Sequence, residues 1–132
     1  MTDVLTARVV DDRVYGLTLL AFQVNGDSLV DLVTAAGAPD QGWMYPPVWL
    51  VDGEHFFGGE DEWEHDSFED GRVPILSCGC SFPGCDAVVV HITRMPGAVA
   101  WSDFEVYRAE KALAIGPFTF DAVEYEQALR RR

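Results

Sequence analysis

The sequence predicts a single α+β domain spanning residues 1–132: a mainly antiparallel sheet of about five to seven strands, with an early helix and a C-terminal helix packed on it. Three observations predict it. Short β-branched runs recur with turn residues between them. Two segments carry the apolar spacing and end signals of helices. With 132 residues, 48% of them apolar, the chain can withdraw about two-thirds of its surface from water without a metal or a disulfide.

The elements follow in order. "VLTARVV" and "VYGLTLLAFQV" flank Asp11-Asp12 and read as a hairpin. In the second run Leu20, Phe22 and Val24 share one face and Tyr15, Leu17 and Leu19 the other, so both faces need cover and the strand is expected to be central. "NGDSLVDLVTAAGAP" has a capping pattern in Ser28 and Asp31, helical spacing in Leu29, Leu32, Val33 and Ala36, and stop signals in Gly37 and Pro39. Residues 38–71 form an acidic, aromatic excursion expected to fold against the body, with a short helix or strand around "PVWLV". "VPILSCGC", "CDAVVVHIT" and "VAWSDFEV" predict a three-strand meander, its second turn at "MPGA". Residues 105–115 fit helix or extended chain equally, and "GPFTF" reads as a short strand. In "DAVEYEQALRRR", Asp121 and Glu124 cap a helix whose stripe is Ala122, Tyr125 and Leu129.

Charge narrows the function. The formal net charge is −13, and no Lys or Arg occurs between Val14 and Gly71, where twelve Asp and Glu lie. Phosphate backbones and anionic lipids are bound by displacing counterions with Lys and Arg, so nucleic acid and membrane surfaces are not expected partners. No stretch reaches the ~20 apolar residues of a membrane span, and no signal peptide is recognised; with three cysteines, an odd number, the expected compartment is the cytoplasm. A basic protein partner is the expected complement. Its docking surface would use Trp43, Trp49 and Trp63 as aromatic anchors, with Glu60, Asp61, Glu62, Glu64 and Asp66 as an acidic rim.

All three cysteines lie in "SCGCSFPGC". If "SFPG" is a four-residue hairpin loop, Cys80 faces Cys85 and Cys78 projects from the same side, with the sulfurs roughly 4 to 8 Å apart. Three roles fit. The sulfurs can simply fill a tight corner of the core. They can form three legs of a zinc site, completed by His55 or His65 from the acidic loop. Or Cys80 and Cys85 can cycle as a redox pair, against an acidic field that raises thiol pKa values. His91, six residues of strand from Cys85, lies about 20 Å away and is excluded as a ligand.

No nucleophile elbow, phosphate loop, dinucleotide fingerprint or zinc-protease helix motif occurs. Ser102 and Asp103 are neighbours on a predicted strand, point to opposite faces, and therefore make no dyad.

"VNGDSLVDLV", "LSCGCSFPGC", "VAWSDF" and "GPFTFDAVEYEQAL" together resemble a family of small uncharacterised bacterial proteins. The resemblance implies a one-domain bacterial cytoplasmic protein and assigns no reaction. The function expected from the sequence is a non-enzymatic interaction module with an acidic surface, an antitoxin- or immunity-like inhibitor being one version. The alternative is a structural-metal or small metal-dependent protein using Cys78, Cys80 and Cys85 with a loop histidine.

Overall fold

A computed structural model describes residues 2–12, 16–52, 54–58, 72–78 and 86–130. Strand β1 (Leu5–Asp12) pairs antiparallel with β2 (Leu17–Val24), Leu5 opposite Val24 and Asp12 opposite Leu17. The Asn25-Gly26 pair then turns the chain with both φ angles positive, 53° and 86°, into the two-residue strand β3 (Asp27–Ser28) on the far edge of β2. Asn-Gly is the standard pair for a tight hairpin, because both positions need the left-handed region. β2 is therefore central, and Leu20, Phe22 and Val24 are buried as the alternation requires.

Helix α1 (Leu29–Ala35) starts directly from β3. Ser28 holds the N-cap position, but its hydroxyl makes no capping bond. It lies 2.8 Å from the Tyr45 hydroxyl, which also accepts the Val30 N–H at 3.3 Å. A tyrosine from another segment thus takes the amide that the serine was expected to satisfy. The C-terminus closes as the stop signals imply: Gly37, at φ 109°, donates to Thr34 O and Ala38 to Val33 O, the paired bonds of a Schellman ending.

The excursion folds back on the body up to residue 58. Met44 and Ser77 exchange both backbone hydrogen bonds, at 2.7 and 2.9 Å, and Leu20 N–H donates to Pro46 O at 2.9 Å. Residues 44–47 therefore bridge β2 to β4 (Arg72–Ser77). Helix α2 (Val48–Val51) and a 3-10 turn (Glu54–Phe57) follow, burying Leu50, Val51, Phe56 and Phe57.

β4, β5 (Ala87–Met95) and β6 (Ala98–Val106) form the predicted meander. The outer edge of β6 is shared by β7 (Lys111–Ala112) at its end and β8 (Phe118–Asp121) at its start. Residues 105–115, open at the sequence level, contain the end of β6, a turn with Glu110 at φ 51°, and β7. Helix α3 (Ala122–Arg130) begins on the predicted cap, Asp121 Oδ2 accepting the Glu124 N–H at 3.0 Å.

β8 returns to the N-terminus, where Asp3 N–H donates to Thr119 O at 2.7 Å and the Asp3 carboxylate accepts Thr119 N–H at 2.8 Å. Backbone pairing thus runs in a circuit: β1, β2, residues 44–47, β4, β5, β6, β8 and back to residue 3. Trp101, fully buried, sits inside it. Its rings meet Phe22, Phe120 and Tyr125 edge-on with centroids 5.8, 5.3 and 6.2 Å away. Strands, helices and the folded part of the excursion share this one core, which makes the molecule a single α+β domain.

Candidate interaction surface

The outer edge of β2 is paired at two places, with β3 at Gln23–Val24 and with residues 46–47 at Leu19–Leu20. Tyr45 fills the gap between them. Its hydroxyl reaches Phe22 O at 3.4 Å as well as Ser28 and Val30, and its ring meets Phe22 edge-on at 6.1 Å. The start of α1 and the approach to α2 are thereby pinned side by side. On the outer face beside Tyr45 lies a cleft of about 530 Å³, with Thr6, Arg8 and Gln23 on its rim.

Pro47 sets up α2 with φ −67° and ψ 150°, and Leu50 and Val51 turn into the core. The outward position falls to Trp49, 59% exposed. Asp52 follows three residues later, on the same side of a helical turn and exposed. Asp27 on β3, Asp31 in the first turn of α1, and Asp40 are exposed as well. One cation enters from elsewhere. Lys111, the chain's single lysine, comes from β7 and donates to Gly37 O at 2.7 Å at the end of α1. The negative end of the helix attracts it there, and no local sequence signal places it.

The predicted site residues fall into three groups. Trp49 is outward, whereas Trp43 is only 8% exposed and donates its indole N–H to Pro39 O at 2.9 Å, leaving little of the ring to anchor a partner. Glu60, Asp61, Glu62, Trp63, Glu64 and Asp66 lie outside the described residues, as do His65, Cys80 and Cys85. His55 belongs to the 3-10 turn, its side chain also outside the description. Cys78 is buried at the end of β4 and donates its backbone N–H to Asp86 O at 3.0 Å. Ser77 stands opposite Ala87 in the antiparallel pairing of β4 with β5. Among the described residues no three His, Cys, Asp or Glu side chains converge as a metal set.

Sequence reasoning missed a polar row on the other face of the meander. Arg72 pairs with Glu105 at 2.7 Å and stands 5.6 Å over the Tyr107 ring. His91 Nδ1 lies 3.4 Å from Asp103 Oδ2. The parity argument that separated Ser102 from Asp103 assumed a straight strand. β6 is bulged there, and Asp103 reaches His91, whose strand partner is Ser102. Among the described residues His91 Nε2 has no hydrogen-bond partner, and no proton relay to Ser102 is assembled. Asp86 ties three loops together, accepting the N–H groups of Ala87 and Arg108, each at 2.9 Å, and of the Gln41 amide at 3.1 Å.

Among the described residues no helix is long and apolar enough to cross a membrane. No family model matches the chain, and neither a curated protein nor a solved structure resembles it significantly.

Proposed function

We propose that the protein is a non-enzymatic interaction module that engages a basic protein partner through its acidic face, with Trp49 as the aromatic anchor. The observation that carries this reading is the outward placement of Trp49. A tryptophan left 59% exposed on a turn whose neighbours are buried forfeits a large burial gain, and the exposed carboxylates nearest it in sequence, Asp40 and Asp52, have no basic residue between them. Aromatic centre and charged rim are the usual anatomy of a protein-binding patch. An antitoxin- or immunity-like inhibitor of a basic protein is one version of this role.

The test is a pull-down at low and high salt with wild type and Trp49→Ala. A basic protein should be recovered at low salt and lost at high salt, since exposed charge pairs are screened beyond about 8 to 10 Å at ordinary ionic strength. Trp49→Ala should weaken recovery at low salt while changing stability by only about 0.5 kcal/mol. A salt-insensitive partner, or one indifferent to Trp49, removes the reading.

A second reading rests on the antiparallel pairing of β4 with β5, which sets Cys78 beside Asp86. Cys78, Cys80 and Cys85 would bind zinc with a loop histidine. Elemental analysis of purified protein should then find about one zinc per chain. A well-folded preparation without metal removes it.

A further inference from the structure

The chain contains one asparagine, and it stands before a glycine in an exposed turn. Asn25 donates its backbone N–H to Val4 O and accepts the Val4 N–H on its side-chain Oδ1, both at 2.8 Å. The side chain thus adds one more pair to the ladder beyond Leu5 and Val24. Its Nδ2 donates to Asp3 Oδ1 at 3.0 Å, and the other oxygen of that carboxylate accepts the Thr119 N–H at 2.8 Å. One amide group therefore fastens residues 3 and 4 to the end of β2 and, through Asp3, to β8, at the step where the backbone circuit closes. A tight hairpin by itself would take Asp-Gly as well as Asn-Gly. The bond to Asp3 would not, because an ionised carboxylate offers acceptors and no donor.

We propose that Asn25-Gly26 is a site of spontaneous deamidation, which exchanges the amide that holds Asp3 for a carboxylate that repels it and so releases the N-terminal residues from β8. The Gly26 backbone nitrogen, its proton passed to water or hydroxide, bonds to Asn25 Cγ, the Cγ–Nδ2 bond breaks, and ammonia leaves. Water then opens the five-membered imide at one of its two carbonyls, giving aspartate or isoaspartate, and nothing is oxidised or reduced. Glycine leaves this attack least hindered: nothing lies within 4 Å of the place a Cβ on Gly26 would occupy. Asn25 must rotate out of its turn conformation, at φ 53°, for the nitrogen to reach Cγ, and an exposed turn opens locally far more often than the core does. After the reaction two carboxylates stand where a donor met an acceptor at 3.0 Å, and like charges so close repel. Isoaspartate also lengthens the main chain by one carbon, which displaces the paired bonds to Val4.

The test holds the full chain at mildly alkaline pH beside an unstructured peptide of residues 22–29 and maps both by mass spectrometry. Asn25 of the folded protein should convert, more slowly than in the peptide because its amide is held by two bonds. In the converted protein, separated by ion exchange, the Thr119 amide should exchange hydrogen about tenfold or more faster than before, and Asn25→Asp should reproduce the change. Asn25→Asp combined with Asp3→Asn puts the donor on residue 3 and the acceptor on residue 25, and should return both Thr119 exchange and Tm to wild-type values. An Asn25 that keeps its amide while the peptide converts overturns the proposal. So does an Asn25→Asp variant whose Thr119 exchanges like wild type. If Asn25→Asp does not fold, a folded swapped pair supports the proposal and an unfolded one overturns it.

Discussion

Tyr125 shows how much one side chain on the last helix contributes to the centre of the fold. Its hydroxyl accepts the Trp101 indole N–H at 3.0 Å and donates to Phe56 O, so it satisfies one donor and one acceptor inside an otherwise aromatic core. Burial pushes its phenol well above the ordinary tyrosine range, and the Trp101 hydrogen bond offsets this only in part. Tyr125→Phe should cost about 1 to 3 kcal/mol, read from urea midpoints, because the buried Trp101 indole N–H would lose its acceptor. The unfolded chain releases this proton above about pH 10, whereas the folded chain retains it. Its contribution to stability is therefore full below pH 10 and lost progressively above. The gap between wild type and Tyr125→Phe should narrow between pH 9 and pH 11.

At the scale of the element, β6 is decided by one bulge. Val89 faces Glu105 and His91 faces Ser102, so Val90 stands against two residues, Asp103 and Phe104. Asp103 takes φ 56°, a region that costs an L-residue about 1 to 2 kcal/mol. In return the parity of the strand reverses. Val99 and Trp101 are buried before the bulge, Phe104 and Val106 after it, which a regular period of two could not achieve. Asp103→Gly should leave stability unchanged or raise it by up to about 1 kcal/mol. Asp103→Val should lower it by about 2 kcal/mol, because a branched side chain tolerates positive φ least. Equal midpoints for the two variants in urea would mean that the strand does not need the bulge. Gly37 presents a similar constraint at the end of α1: at φ 109°, an added Cβ would meet Lys111 Nζ at 3.1 Å.

For the whole molecule the governing quantity is charge. Twenty-two acidic residues stand against nine basic ones, and twelve of the acids lie between Val14 and Gly71. At such a net charge, mutual repulsion opposes the compact state. Raising sodium chloride to about 0.5 M shortens the screening length to roughly 4 Å and should raise Tm by a few degrees. Substituting an exposed carboxylate such as Asp40 by Asn should imitate part of that gain at low salt. A Tm that falls with salt would instead show that attractive pairs such as Arg72–Glu105 dominate.

What the sequence alone determined was local. The meander, the two longer helices and the capping of α3 were legible because each depends on residues within a few positions of one another. Asn25-Gly26 carried a hairpin signal that the overlapping helix signals obscured, and the irregular spacing of Val99, Trp101, Phe104 and Val106 already encoded the bulge. Only the tertiary structure decided that Tyr45 would cap α1 in place of Ser28, that Trp43 would go inward and Trp49 outward, and that residues 44–47 and Asp3 would carry the backbone circuit round. Those outcomes depend on which distant segments meet, and the free energy that settles them comes from burial and from pairing polar groups across the core. Neither is written in the spacing of neighbours.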